Sequence, residues 1–387
     1  MLFNVCNCVP SSFSVADVGS LCAGGAGFVS AMIGAFVENA RTAPAKTLKG
    51  AVPVVDRLSV HIVTDNIVMQ FVPNETRDGM RIERRTGSNT APDRKPRTAL
   101  NAEWGLAMHA QSWRGEESRN VLIDFGYTPE VLLNNMDILK VDPSTFDAFV
   151  LSHGHYDHFG GMVGFLKAQQ GKLKGNLPFF VGGEDCFCLR RNSGGDFGAL
   201  DRKAILDAGL MLMLASEPAL VAEHAFTTGR IGQTSFETPL RPSLEIVGIV
   251  DDFGCYPEKM PAAKNTGTYI PDDFDHEIGT AYVVKDKGLV VLTSCSHRGV
   301  INTVRQAIAA SGVSKVHAVI GGFHIVPPLD DDYIEKTIAE FRDLDPDFLI
   351  PGHCSGDRFY DLARDALGDK VIHSAVGTRF VFGEATK

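Results

Sequence analysis

The chain has no surplus of positive charge: 37 Lys and Arg stand against 47 Asp and Glu over 387 residues, a formal charge of −10. That excludes nucleic acid as the main partner, because holding a phosphate backbone takes clustered Lys and Arg. Low-complexity tracts and repeated long apolar spans are also missing. Hydrophobic residues make up 44% and charged ones 22%, so a disordered chain, a collagen-like polymer and a polytopic membrane protein are excluded. No Gly-x-Ser-x-Gly elbow occurs, which leaves nucleophilic serine catalysis without support. The eight cysteines are too scattered for a disulfide framework in a chain this long. Cys6, Cys8 and Cys22 lie near the start, Cys186 and Cys188 form a Cys-x-Cys pair, and Cys255, Cys295 and Cys354 stand alone. Each is expected to be a free or buried thiol.

Residues 1–45 differ from the remainder. Leu21 to Val37 is small, apolar and uncharged, and Ala43-Pro44-Ala45 follows it. This pattern is that of a degenerate export leader, although no Lys or Arg precedes Leu21 and no twin arginine is present. A disordered start is the alternative. Gly25-Ala26-Gly27 has no strand before it and so fails as a nucleotide-binding loop. The expectation is a periplasmic or secreted protein if the leader works and a cytoplasmic one otherwise, with no stable membrane insertion after leader removal.

Residues 46–387 read as one catalytic domain, with no repeat or linker that forces a division. Short apolar runs alternate with amphipathic stretches. Strands are expected at Leu58–Met69, Val121–Phe125, Ala148–Leu151, Phe179–Val181, Leu244–Val250, Ala281–Val284, Leu289–Thr293, Val316–Ile320 and Phe348–Ile350. Helices are expected at Val300–Ala310 and Tyr333–Leu344, whose apolar residues recur on one face. The pattern is that of a layered α/β protein. The basic, turn-rich stretch Arg77–Arg97 reads as an exposed loop.

The chemistry concentrates in Ser152-His153-Gly154-His155-Tyr156-Asp157-His158, directly after an apolar strand. Three imidazoles and a carboxylate in so short a span each need a partner when buried. As metal ligands they are accounted for, since neutral imidazole and carboxylate suit zinc and similar divalent ions. His153 and His155, two apart at a strand end, can face one ion, while Asp157 and His158 on the turn beyond can reach a second.

This His-x-His-x-Asp-His motif resembles the signature of the metallo-β-lactamase-fold hydrolases, over roughly residues 55–380. Val121-Leu122-Ile123-Asp124-Phe125-Gly126 is similar to that family's preceding strand with its terminal aspartate. Leu292-Thr293-Ser294-Cys295-Ser296-His297, Gly321-Gly322-Phe323-His324 and Pro351-Gly352-His353-Cys354 resemble one branch, the group around the dihydropteridine-ribofuranosylaminobenzene phosphate synthases. The resemblance implies a four-layer αββα sandwich and two divalent metal ions, zinc before manganese or iron. One site would take His153, His155 and His297; the other would take Asp157, His158 and His353. It further implies a hydrolase that turns a metal-bound hydroxide on an ester, lactone, amide or phosphoester of small size, with Asp157 handling the water and a proton. The alternatives are a synthase condensing a pterin precursor with a ribosylated aminobenzene phosphate, and a non-catalytic metal-binding or sensor protein. A flavin-dependent redox enzyme would need an extension that this length does not hold.

Around the site the assignments are less specific. Cys295 stands where a bridging carboxylate is usual. His324 is a seventh ligand, an oxyanion donor or a structural histidine. Asp124 is expected to orient a ligand imidazole from behind, and Cys354 to pack facing away. Asp65-Asn66 and Glu103-Trp104-Gly105 are expected near the metals, and Arg190, Arg230 and Arg298 are anion-binding candidates. His61, His109, His224, His317 and His373 read as ordinary structural residues, and His276 in its acidic loop as a remote ligand candidate.

Overall fold

A computed structural model of the chain describes residues 46–85, 88–90, 96–240 and 243–383. The leader reading of residues 1–45 lies outside them. Among the described residues no helix is long and apolar enough to cross a membrane.

Two large sheets face each other. One has nine strands in the spatial order Met211–Leu214, Pro178–Val181, Ala148–Val150, Glu117–Ile123, Ala107–Arg114, Arg57–Thr64, Thr378–Gly383, Met80–Arg84 and Glu75–Arg77. The other runs Leu220–Val221, Ala225–Thr227, Thr280–Val284, Gly288–Thr293, Val316–Gly321 and Phe348–Pro351, with Val54–Val55 joined to Thr280–Val284. The two-residue period of the strands sorts side chains into layers. Val290 and Leu292 point into the core between the sheets, beside Leu58, Val60, Ile62, Ile123 and Val150. Leu289 and Val291 of the same strand point outward, onto helices Val300–Ser311, Asp331–Leu344 and Asp357–Leu367. On the other flank Leu122, Phe149 and Phe179 meet helices Pro129–Leu139, Met162–Ala168 and Arg202–Asp207. The result is the αββα sandwich.

Most expected elements are present within a residue or two of their ends, but the strand expected at Leu58–Met69 stops at Thr64 and that expected at Val121–Phe125 runs from Glu117 to Ile123. Three further features depart from the expected pattern. Leu244–Val250 is not one buried strand: it breaks at Val247 into Leu244–Ile246 and Gly248–Val250, which pair with different partners. Gly248, at φ 149, takes a backbone angle that side chains disfavour and so marks the break. Arg77–Arg97 is not wholly a loop, since Glu75–Arg77 and Met80–Arg84 form a hairpin at the sheet edge with Met80 and Ile82 buried. Two apolar residues among arginines are too few to announce a strand. The terminal strand Thr378–Gly383 pairs between Arg57–Thr64 and Met80–Arg84, and without it the sheet would be split.

The cysteine expectation also needs correction. Cys188 and Cys255 form a disulfide across a sequence separation of 67, while Cys186, Cys295 and Cys354 are buried and free. The bond ties Leu189–Asn192 to the hairpin of Gly248–Val250 and Phe253–Cys255. With Gly195–Gly198, Leu244–Ile246 and Ile270–Pro271, Leu189–Asn192 makes a small four-stranded sheet.

Candidate metal centre

Strands Glu117–Ile123, Ala148–Val150 and Pro178–Val181 run parallel, as do Gly288–Thr293, Val316–Gly321 and Phe348–Pro351. Their carboxyl ends therefore open at one edge of the sandwich, where α/β folds gather ligands. The loops leaving them carry the chemistry. Asp124, Ser296, His324 and His353 all sit there in the left-handed region, at φ 60, 62, 49 and 49. Such backbone persists only where its surroundings hold it, and it concentrates at functional sites.

Two donor triads converge in these loops. One donor atom each from His153, His155 and His297 lie within 4.8 Å of one another, and so do those of Asp157, His158 and His353. These are the two ligand sets expected from the motif. Nitrogens of His153, His297 and His353 are buried with no hydrogen-bond partner. Leaving so many polar atoms unpaired would cost about 1–3 kcal/mol each, so the donor sets call for a cation. Burial, with the neighbouring His158 and His297 imidazoles, holds His153 far below the usual histidine range. Burial does the same to His297, and pushes His155 down to about 3. Neutral imidazoles are what metal coordination requires. At the second triad burial disfavours charge on His158, but Asp157 and Asp124 outweigh it and raise the group to about 10. This pocket of carboxylates attracts one positive charge, which a divalent ion would supply in place of the proton. The donors thus fit divalent metal ions.

Asp124 does what was expected of it. Its carboxylate accepts from His158 Nδ1 at 2.7 Å and from both the backbone N and the Oγ of Ser152 at 2.8 Å. His158 therefore turns its Nε2 toward Asp157 and Cys295, at 3.6 and 3.2 Å. Asp65 supports the other side: Oδ1 accepts from the His353 backbone N, and Oδ2 from Ser374 Oγ. Asn66 donates to the His353 carbonyl, and the Trp104 ring lies 5.1 Å from the His353 ring. Glu103 stays away from the centre and accepts from Tyr127 N, Thr128 N and Thr128 Oγ1 at the start of helix Pro129–Leu139.

Other assignments change. His276 is no ligand: its Nε2 accepts from Gly154 N at 3.0 Å, and Arg190 lies against its other nitrogen. Gly154 is needed there, because a Cβ would fall 2.5 Å from the Cys186 carbonyl and 2.7 Å from Arg190. Arg190 is buried and paired with Asp272 and Glu245, Arg298 bonds the Ile231 and Asp273 carbonyls, and Arg230 pairs with Asp275. Arg190 and Arg298 are buried and engaged as structural cations, so the anion-binding reading fails for them; Arg230 is half exposed, and none of the three lines the cavity. Cys354 faces inward: its Sγ is 3.4 Å from that of Cys295, and both line the cavity. His324 also lines it, with its ring 4.1 Å from that of His297 and a buried Nδ1 without a partner. His109 bonds Asn120, His224 bonds Ser112, His317 bonds Asp347 and His373 stacks on Tyr360, as structural residues do. Ser243, Asn192 and Phe197 escaped the reading of the sequence. Asn192 and Phe197 lie in the small sheet and Ser243 directly before its strand Leu244–Ile246; they complete the cavity wall, and Ser243 Oγ lies 3.0 Å from His155 Nε2.

The cavity holds about 310 Å³. Trp104, Tyr127, Tyr156 and Phe197 supply aromatic surface, His155, Asp157, His297 and His353 of the two triads line it, and no Lys or Arg is among its described lining residues.

These features are those of a metallo-β-lactamase-fold protein. Residues 114–176 match the metallo-β-lactamase superfamily profile. The crystal structure of Tm1679, a metal-dependent hydrolase of the β-lactamase superfamily, superposes with a TM-score of 0.59 at 20% identity, covering 85% of this chain and 100% of that one. Among curated proteins, the chain is similar to the 7,8-dihydropterin-6-methyl-4-(β-D-ribofuranosyl)-aminobenzene-5′-phosphate synthase of Methanocaldococcus jannaschii. The two are 29% identical over 245 residues, 62% of this chain and 76% of the synthase. An uncharacterized protein of the same organism is 25% identical over 262 residues, 67% of this chain and 88% of its own. The resemblance read from the motifs thus holds, and it extends to the branch.

Proposed function

We propose that the protein is a dinuclear metallohydrolase for a small substrate with an uncharged or aromatic part. The observation that carries this reading is the convergence of two separate donor triads, with orphaned nitrogens, at one aromatic-walled cavity, which His155, Asp157, His297 and His353 line. Two divalent ions held there, zinc before manganese or iron, would supply Lewis acidity and lower the pKa of water. The chain's own residues do the rest. Burial opposes charge on Asp157, yet the His158 and His353 imidazoles hold its carboxyl far below the ordinary range, so it stays ionised. It is positioned to orient the attacking water, take its proton and return that proton to the leaving group. Trp104, Tyr127, Tyr156 and Phe197 wall the cavity and offer aromatic surface to the flat or apolar part of the substrate.

A second reading has its own support. Similarity to a named synthase favours a condensing enzyme, and the aromatic walls would suit a flat ring. The lack of Lys and Arg among the described lining residues leaves no side-chain cation to hold a substrate phosphate away from the metal positions, which favours the hydrolase over the synthase. Ester, lactone, amide and phosphoester panels, run beside a condensation assay, separate the two. Hydrolysis that chelation removes and zinc or manganese restores is expected. Condensation without hydrolysis would overturn the reading, and a folded, metal-replete protein inert in both assays would leave a sensor.

The same proposal places the protein in an oxidising compartment after removal of a leader. The Cys188–Cys255 bond supports this, because such bonds persist outside the reducing cytosol. Exported material should begin near Lys46 by amino-terminal sequencing, and an intact Met1 would refute export.

A further inference from the structure

Three side chains lining the cavity are left over by the two triads: Cys295, His324 and Cys354. They come from the loops after three neighbouring parallel strands, Gly288–Thr293, Val316–Gly321 and Phe348–Pro351. The two sulfurs and a ring nitrogen of His324 lie within 4.8 Å of one another. The sulfurs are 3.4 Å apart, with no disulfide between them. His324 Nδ1 is buried and has no hydrogen-bond partner. The backbone is shaped to bring them together: His324 is held at φ 49, and Gly322 admits Cys354, whose Sγ would stand 2.7 Å from any Cβ there. Cys354 Sγ hydrogen-bonds the sulfur and carbonyl of Cys295, and Cys295 Sγ hydrogen-bonds His158 Nε2, so the buried His324 nitrogen beside them is the group left without a partner.

We infer that Cys295, His324 and Cys354 form a third metal position, thiolate-bearing and selective for a thiophilic ion, beside the two triads of histidine and aspartate. The donor chemistry differs in kind from that of the triads. Two sulfurs and one nitrogen favour zinc, cadmium or cuprous copper, whereas nitrogen and oxygen sets accept manganese as well. Donors of a tetrahedral zinc with Zn–S near 2.3 Å stand about 3.8 Å apart, close to the observed spacing of the sulfurs. Two thiolates offset the charge of a divalent ion, so the position needs no further carboxylate. Cys295 also lies within 4.8 Å of donors of His153 and His158, so an ion here would share a wall with the hydrolytic centre. The inference does not depend on what that centre catalyses.

The test is cadmium and cobalt titration of the full chain, followed by elemental analysis and by thiolate-to-metal charge-transfer absorption. The wild type should bind about three ions per chain and show the absorption. Cys354→Ser and His324→Gln should each lose one equivalent and most of the absorption, whereas His155→Ala should lose an equivalent and keep the absorption. The proposal falls if no thiolate absorption develops. It falls equally if Cys295→Ser abolishes the absorption while Cys354→Ser leaves it and the metal count unchanged, because the sulfur then belongs to the triads. Should the serine variants fail to fold, zinc protection of the native thiols against alkylation replaces them. Both Cys295 and Cys354 must be protected, and protection of neither or of Cys295 alone overturns the assignment.

Discussion

Replacing Asp124 by Asn tests how the second triad is built. The carboxylate makes three hydrogen bonds in a fully buried setting: two to Ser152 at 2.8 Å and one to His158 Nδ1 at 2.7 Å. Asn keeps one acceptor oxygen, which can still receive the Ser152 backbone N–H. Its amide then presents N–H to His158 Nδ1, where the native carboxylate accepts a hydrogen bond. The imidazole must shift its proton to Nε2, the nitrogen that faces Asp157 and Cys295 and would bind the ion. Changing a group that orients a ligand histidine typically costs about 10–100-fold in metal affinity, or roughly 1.4–2.8 kcal/mol. The loss should fall on the triad of Asp157, His158 and His353. His153 is affected less, because Ser152 Oγ, 2.9 Å from its Nδ1, can still serve it. Competitive chelator titration with zinc should therefore show one affinity reduced and another nearly preserved, with the thermal midpoint of the metal-free protein little changed. Equal affinities in the Asp124→Asn variant and the wild type would refute the reasoning, as would equal losses at both positions.

Three further outcomes are expected. His155→Ala should remove catalytic activity together with about one metal ion per chain, and full activity with normal metal content would sink the site assignment. The Cys188→Ser, Cys255→Ser pair should cost on the order of 4 kcal/mol in urea melts, from the chain-entropy value for a closed loop of 67 residues; an unchanged midpoint would argue that the bond does not form. Glu237 governs a pH dependence: it is buried against the start of helix Val300–Ser311, and burial pushes it up to about 7 from 4.5. The folded state then binds the proton more tightly than the unfolded one, so stability should fall as pH rises from about 4.5 to about 7, by up to roughly 3 kcal/mol. Glu237→Gln should flatten that slope, and parallel stability curves for the two proteins would refute the assignment.

The amino-acid sequence by itself carried the candidate donor residues and, through the resemblance of its motifs, the expectation of the sandwich. A buried strand needs a continuous apolar run, so Ala148–Val150, Gly288–Thr293, Val316–Gly321 and Phe348–Pro351 announce themselves, and the polar residues following each must lie at the same sheet edge. His153, His155, Asp157 and His158 were legible because imidazoles and a carboxylate at that spacing have few other uses. Tertiary structure alone decided what long-range pairing controls. Cys188 meets Cys255, and Cys354 turns toward Cys295, only because separate strands set their loops side by side. Arg190 looked like an anion site until the fold closed Asp272 and Glu245 around it. Phe197, Asn192 and Ser243 reach the cavity through a small sheet whose short strands carry no strong period. A residue's type limits the chemistry it can do, but its partners are distant in sequence, and only the packing of the sheets selects among them.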